Sequence, residues 1–405
     1  MISKQFRIRL LVGLIAVLAA ISSCSDRVVN NSSSVDIDFK TPSSNKYDVE
    51  RTFSKIACIQ LETNDSCLIG KIKKVACIGD TVVILTDNRK VYSFSKTSGN
   101  FIGEIGHQGE GPEEYIEATN FAVTNDRHMV IIDRIRNQAN FYTAAGRLIK
   151  SLRANFNLIG VNDVECCPDG NIIFANLLGT YSDGNNYCFE VSDGICQEVV
   201  KRFDLISPVS VKAGRYVAFA NRHFAKVGDT VLFSKFANDT IFSYGKNGDI
   251  EGKYVIKMDK PIPTKKEISQ LGAFDLSDYY SFCQKKGYAP SFNKIFASDS
   301  LICLVPLVPE HDGYYWYERK TGSTHKIDGR LYVEDEIDDV LKGKSIVNIV
   351  GSDSKEFISA FGGLDIKVLK KEMKRVKTIN SLKSLKKIAY KADIEGNPIL
   401  VFYEH

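Results

Sequence analysis

The chain has 405 residues, enough for two or three average domains or for one large all-β domain. Apolar residues make up 44% and charged residues 25%, the balance of a packed globular protein, which excludes a mainly disordered chain and a collagen-like or low-complexity fibre. The 53 Lys and Arg stand against 49 Asp and Glu, and removing Lys4, Arg7 and Arg9 with the leader described next leaves 50 basic residues, so charge gives no reason to expect nucleic acid as a partner.

Residues 1–23 have the layout of a lipoprotein signal peptide. Lys4, Arg7 and Arg9 form a basic start, and Leu10–Ile21 follows as 12 residues without a polar side chain. That run is too short for a bilayer, which needs ~20. Ile21-Ser22-Ser23-Cys24 resembles a bacterial lipobox, in which the Cys is acylated with chains such as palmitate and the peptide is cut before it. The plainer alternative is a secretory signal with an incidental Cys. The agreement of the three parts in register favours lipidation at Cys24. Several acyl chains anchor firmly, since each buried CH₂ contributes ~0.8 kcal/mol.

Residues 24–50, rich in Ser, Asn and Asp, read as the lipidated Cys and a flexible tether to a folded part at 51–405. Ser25 favours the outer membrane under the sorting rule known from enteric bacteria. Asp26 is alone, followed by Arg27, which leaves the periplasmic and surface faces both open. The expected location is the cell envelope, as an outer-membrane lipoprotein held to the membrane by its N-terminal lipid.

From residue 51 onward a unit of short strands recurs. Asp80–Leu85, Val91–Phe94, a Thr97–Asn100 turn and Phe101–Ile105 form one copy. Met129–Ile132, Ala139–Tyr142, Ala145-Gly146 and Leu148-Ile149 form the next. Further copies lie at 229–256 and 301–327, with weaker ones around Ile172–Phe174 and Phe357–Ala360. Six four-strand units of this spacing predict an all-β, six-bladed β-propeller. A pair of β-sandwiches is the competing fold, disfavoured because strand, loop, strand, Gly turn and strand repeat in one order. Ile399–Tyr403 and Thr52–Leu61 are expected to close the last blade from both chain ends.

Two segments break the repeat. Thr264–Gly287 predicts a helical insertion between the fourth and fifth blades. Asp365–Ala389 predicts an amphipathic helix before the closing strand, with Ile366, Leu369, Met373, Val376, Ile379, Leu382, Leu385 and Ile388 on one face. Its lysine-rich face is either a solvated surface or a contact for anionic headgroups. Beyond Cys24 there are nine cysteines, an odd number with no CxxC pair, several in apolar runs; buried thiols are expected rather than bridges. A two-residue hairpin about Asp193-Gly194 would place Val191 opposite Cys196.

Phe101–Gly106 followed by His107-Gln108-Gly109-Glu110-Gly111-Pro112-Glu113-Glu114-Tyr115 resembles a signature of six-bladed propeller lipoproteins of Bacteroidota, relatives of NHL-type propellers. Gly106, Gly109, Gly111, Pro112, Glu114 and Tyr115 carry the match, and Gly396-Asn397-Pro398 before Ile399 resembles the family's closing strand. The resemblance spans about 51–405. It implies the fold and carries no activity with it.

In such a ring, the loop from one blade's outer strand to the next blade's inner strand lies on the usual ligand face. That places His107, Gln108, Glu110, Glu113 and Glu114 there. The loops between second and third strands add Asp87, Arg89, Asp133, Arg134, Arg136 and His311. The 107–115 loop is also readable as a latch between blades, since Gly and Pro are its best-defined features.

No GxSxG, HExxH, P-loop or EF-hand pattern is present. Some NHL-type lyases gather histidines from separate blades on one metal, which suggests His107, His223 and His311. Six-bladed lactonases place Glu, Asn and Asp on an axial calcium, which suggests Glu114, Asn120 and Asp163. No spacing supports either set, so no cofactor is expected beyond a possible axial metal ion. Asp80-Thr81, Asp229-Thr230, Asp239-Thr240 and Asp299-Ser300 resemble a short O-glycosylation motif, though Asp-Thr also simply ends a turn and opens a strand. The preferred expectation is a lipid-anchored module that binds a peptide, glycan or protein of the envelope. The alternatives are a metal-dependent hydrolase or lyase on the central axis, and a structural scaffold.

Overall fold

The computed structural model describes residues 34–42, 53–176, 187–205, 222–234, 238–271, 276–289, 292–306, 313–327, 348–363, 365–367, 370 and 383–405. Two strands precede the first blade, β1 (Val35–Asp38) and β2 (Lys55–Gln60). Blade one is β3 (Ile72–Ile78), β4 (Thr81–Thr86), β5 (Val91–Ser95) and β6 (Phe101–Glu104). Blade two is β7 (Ala118–Val123), β8 (Met129–Asp133), β9 (Gln138–Tyr142) and β10 (Leu148–Arg153). Blade three is β11 (Val161–Cys166), β12 (Ile172–Asn176), β13 (Tyr187–Ser192) and β14 (Val199–Leu205). Blade four is β15 (Phe224–Val227), β16 (Thr230–Ser234), β17 (Thr240–Gly245) and β18 (Ile250–Lys257). Blade five is β19 (Phe292–Ala297), β20 (Leu301–Pro306), β21 (Tyr314–Glu318) and β22 (Thr324–Ile327). Blade six is β23 (Ile349–Ser352), β24 (Glu356–Phe361), β25 (Ile399–Glu404) and the early strand β2.

Every blade is an antiparallel meander, and its second strand is the most deeply covered. β12, β20 and β24 are buried along their whole length, because neighbouring blades cover both faces. This is why Ile172–Ala175 and Leu301–Val305 read as unbroken apolar runs instead of alternating ones, while β24 buries Glu356 and Ser359 within its run. Six apolar layers separate the six blades. Phe121 and Val83 join blades two and one, and Phe357 and Trp316 join blades six and five. Six interfaces for six blades leave no open gap in the ring.

The turn from third to fourth strand carries a left-handed residue in five blades. It is glycine at Gly99, Gly146, Gly248 and Gly322, with φ between 73° and 84°. In blade three it is Cys196, at φ 59° and fully buried. A non-glycine residue in this conformation is uncommon, which explains why the repeat is faint there. This turn is longer than the two-residue hairpin expected: Val191 pairs with Lys201, not with Cys196. Cys58, Cys67, Cys77, Cys166, Cys167, Cys196, Cys283 and Cys303 are free thiols, most of them buried. Thr81, Thr230 and Thr240 each open a strand, as turn-ending Asp-Thr pairs do.

The last blade closes from both ends of the chain. β2 pairs with β25 from Lys55–Glu404 to Gln60–Ile399. Asn397, 1% exposed, locks the joint. Its side chain donates to the carbonyls of Glu62 and Cys67 and accepts the Ile69 amide at 2.7 Å. The tether expected at 24–50 is shorter than the composition suggests. β1 lies inside that stretch and pairs in parallel with β18, adding a fifth strand to blade four. Alternating Val35, Ile37 and Phe39 explain it: Ile37 and Phe39 are buried, Phe39 against Tyr315 of blade five.

Between blades four and five lie α1 (Lys265–Ile268), a 3₁₀ turn (Ser269–Leu271) and α2 (Leu276–Lys286), as expected. Thr264 and Glu267 form a capping box at the start, Glu267 Oε2 accepting the Thr264 amide at 2.7 Å and Thr264 Oγ1 accepting the Glu267 amide at 3.3 Å. Of the expected 365–389 helix, α3 (Lys383–Lys391) is described, and residues 371–382 lie outside the described residues. Ala389 and Ala392 pack into the layer that holds Ile56 and Tyr403, while Lys387 and Lys391 are exposed. Among the described residues no helix is long and apolar enough to cross a membrane.

Candidate functional site

Antiparallel order sends alternate connections to opposite ends of each blade. On one face the turns are short, as at 79–80, 143–147 and 319–323. On the other face begin and end the long connections, 105–117, 258–291, 328–348 and 362–398. Loops of that length on a rigid scaffold are where function concentrates. The same face carries every ligand-face residue the sequence suggests and the structure describes. His311 and Cys24 lie outside the described residues.

The 105–117 loop is a packed latch. Arg136 donates to the carbonyls of Gly111 (3.2 Å), Glu114 (2.8 Å) and Gly109 (3.2 Å). The Glu114 carboxylate accepts the Gly111 amide at 2.7 Å and fills the place a Cβ on Gly109 would take, 2.1 Å from Glu114 Oε2. Tyr115 is fully buried and its hydroxyl accepts the Val91 amide; Tyr142 donates to the Glu113 carbonyl. Asp133 is fully buried and accepts the amides of Ile116, Ile135 and Arg136. Asp133, Glu114 and Arg136 are therefore spent on holding the loop. His107, Gln108, Glu110 and Glu113 stay exposed at its crest. Asp87 is exposed and its Oδ1 accepts the Lys71 amide at 3.2 Å.

Arg89 and Arg134 share a residue that the sequence does not flag. Glu117 Oε1 lies 3.2 Å from Arg89 Nε and 3.0 Å from Arg134 Nη2. Arg89 also donates to the Thr119 carbonyl at 3.2 Å.

The axis is lined differently. Five inner strands carry a register shift near their start, between Ile72 and Lys74, Ala118 and Asn120, Val161 and Asp163, Phe292 and Lys294, and Ile349 and Gly351. Such bulges re-aim side chains and recur beside functional sites. Lys74 reaches across two blades: its ammonium lies 3.2 Å from Asn120 Oδ1, 3.2 Å from Asp163 Oδ1 and 2.8 Å from the Val164 carbonyl. Asp163 Oδ2 accepts the amides of His223 and Phe224 in blade four. Arg222 donates to the Val350 carbonyl of blade six and lies 4.8 Å from the Phe296 ring of blade five. These bonds link inner strands across the ring.

Asn120 and Asp163 thus meet, as the calcium expectation requires, but around an ammonium. A cation already occupies their shared oxygens, and Glu114 belongs to the latch, so this set does not fit a metal ion. His223 is buried, its ring 3.5 Å from Asn162 Nδ2, whereas His107 is exposed beside Glu104 at 3.7 Å. Among the described residues no three His, Cys, Asp or Glu side chains converge as metal ligands do.

Two lysines near this mouth are held below their ordinary range. Lys294 is half-buried, and burial followed by repulsion from Lys71 and Arg222 holds its ammonium down to about 8. Lys73 is lowered too, first by burial and then by Arg89. The sequence does contain the signal for these residues. Polar doublets Lys73-Lys74, Thr119-Asn120, Asn162-Asp163 and Asn293-Lys294 each interrupt an apolar strand start, which a simple alternation does not produce.

A family profile described as "Domain of unknown function (DUF4934)" matches residues 32–404. Among solved structures, a Bacteroides fragilis protein whose export is inferred is similar to this chain, with a TM-score of 0.68 and 18% identity over 91% of this chain and 99% of that one. At that identity the likeness shows the fold alone. Virginiamycin B lyase of Staphylococcus aureus has a TM-score of 0.37 and 12% identity, over 66% of this chain and 71% of that one. The Pan2 WD40 domain of Neurospora crassa has 0.36 and 12%, over 63% and 64%. These two likenesses carry no argument. No curated protein sequence matches the chain.

Proposed function

We propose that this chain, which belongs to the DUF4934 family, is a lipid-anchored envelope protein that binds a peptide, glycan or protein partner on the loop-bearing face of its propeller. The observation that carries the reading is the asymmetry of the ring: short turns close one face, while the long connections and the bulged polar mouth share the other. The exported character given to the similar B. fragilis protein agrees with the leader of this chain. The resemblance to propeller lipoproteins of Bacteroidota points the same way.

The anchor geometry supports an orientation. β18 runs from the short-turn face toward the loop-bearing face, and β1 lies parallel to it. The chain therefore arrives from the short-turn side. From Cys24 to Ser34 the chain spans at most ~35 Å, at up to ~3.6 Å per residue. The short-turn face would meet the membrane and the loop-bearing face would point away. The axial enzyme alternative gains no support from the Asn120–Asp163 pair, which holds Lys74.

Two measurements test this reading. Metabolic labelling with radioactive palmitate is expected in the full chain and lost in Cys24→Ser; equal labelling of both contradicts the anchor. Glu110→Arg with Glu113→Arg is expected to remove envelope components that co-purify with the chain, while Lys246→Glu with Lys320→Glu on the short-turn face retains them. The opposite pattern contradicts the assigned face.

A further inference from the structure

Lys294 comes from the inner strand of blade five, and Arg222 enters the inner strand of blade four beside it, the two residues pairing as an isolated parallel bridge. Arg222 is 6% exposed and fixed by the Val350 and Phe224 carbonyls and the Phe296 ring. Lys71 stands exposed at the start of blade one, near enough to repel Lys294. Among the described residues, neither ammonium has a carboxylate or carbonyl within hydrogen-bond reach. The acids nearby, Asp163 and Glu165, act on Arg222, and Asp163 is also taken by Lys74, by the Asn120 side-chain amide and by the backbone amides of Val164, His223 and Phe224.

Lys294, set on a bulge, is repelled by Lys71 and Arg222 and has no acid of its own, a cost that an anion joining these cations would relieve. We infer that the axial mouth of the loop-bearing face is an anion-binding site, in which Lys294, Arg222 and Lys71 receive a carboxylate or phosphate group of the ligand. Arg222 supplies a fixed, desolvated charge. The two lysines supply compact charges on movable stems, suited to an anion with several oxygens. The inference deepens the binding reading and rests on it for the identity of the face, but it fails separately, because it concerns the axis and not the latch crest.

The test is competitive acetylation of the full chain with acetic anhydride, followed by peptide mass mapping of Lys294. It is run at pH 8 and constant ionic strength, with inorganic phosphate, with citrate, or with neither. A bound anion favours the charged ammonium. If it lifts Lys294 by one unit, the reactive neutral fraction falls about five-fold. Protection by phosphate alone identifies a phosphate site, and protection by citrate identifies a carboxylate site; both support the inference. Lys226, on the short-turn side of blade four, should keep its reactivity. Lys71→Gln, an exposed change that leaves the fold intact by circular dichroism, should weaken the protection. No protection of Lys294 by either anion overturns the inference. So does equal protection of Lys226, or unchanged protection in Lys71→Gln.

Discussion

The axial charges divide into those that are neutralised and those that are not, and the two groups should respond oppositely to removal. Asp163 is 1% exposed at its side chain and balanced by Lys74 at 3.2 Å. Lys74→Met leaves that buried carboxylate with the Asn120 side-chain amide and backbone amides but no cation, and should cost about 3–5 kcal/mol in urea unfolding. A loss below about 0.5 kcal/mol, as for an ordinary surface lysine, would contradict the axial link. Lys294 should behave the other way. Its folded ammonium titrates at about 8 against 10.5 for the ordinary group. Between those values the unfolded chain binds more protons, so stability rises with pH, and the penalty is complete below pH 8. Lys294→Met should therefore stabilise the chain most at pH 7 and less at pH 9.5. The gain is at most about 3 kcal/mol, since one unit is about 1.4 kcal/mol, and water around the half-buried group reduces it. Urea midpoints at the two pH values check this; a loss of stability at pH 7 would contradict it.

At the scale of elements, the strands were legible and their irregularities were not. Apolar runs such as Thr81–Leu85 and Leu301–Leu304 mark the second strands because both faces are buried, and glycines mark four of the five left-handed turns. Cys196 hides the fifth turn, because a buried thiol replaces the signal that glycine gives. β1 is hidden by its polar surroundings: only Ile37 and Phe39 are buried, too few to raise a periodic pattern. The latch was legible through its glycines, but Glu117 was not, because its meaning depends on arginines brought in from two other loops. The axial ring depends on bulges, which shift side chains by one place and defeat an alternation rule. Two elements invite direct tests. Asn397→Ala strips partners from the Glu62 and Cys67 carbonyls and the Ile69 amide, and should cost about 3–6 kcal/mol at one to two per buried group. Arg136→Ala frees three carbonyls of the latch and should cost about 1–3 kcal/mol, with faster amide exchange over 106–116. Exchange that stays slow there would show that the loop is held by something other than Arg136.

The whole molecule is a closed ring with one plain face and one elaborated face. Closure by β2, with Asn397 at the joint and β1 clamped to blade four, ties the segment ahead of the first blade to blades six and four. A ring tied in this way keeps its loops and its axial mouth in fixed relation, which a binding surface made from several blades requires. The lipid anchor would set which way that surface points, with at most ~35 Å of chain between Cys24 and the blade rim. The central claim is that partners meet the loop-bearing face. The most direct measurement is photo-crosslinking of the full chain in intact cells, with a benzophenone amino acid placed in turn at Glu110, Glu113, Lys246 and Lys320. The account predicts crosslinked species from Glu110 and Glu113 and none from Lys246 and Lys320 beyond lipid. Protein or glycan adducts from the short-turn positions, with none from the latch crest, would contradict it.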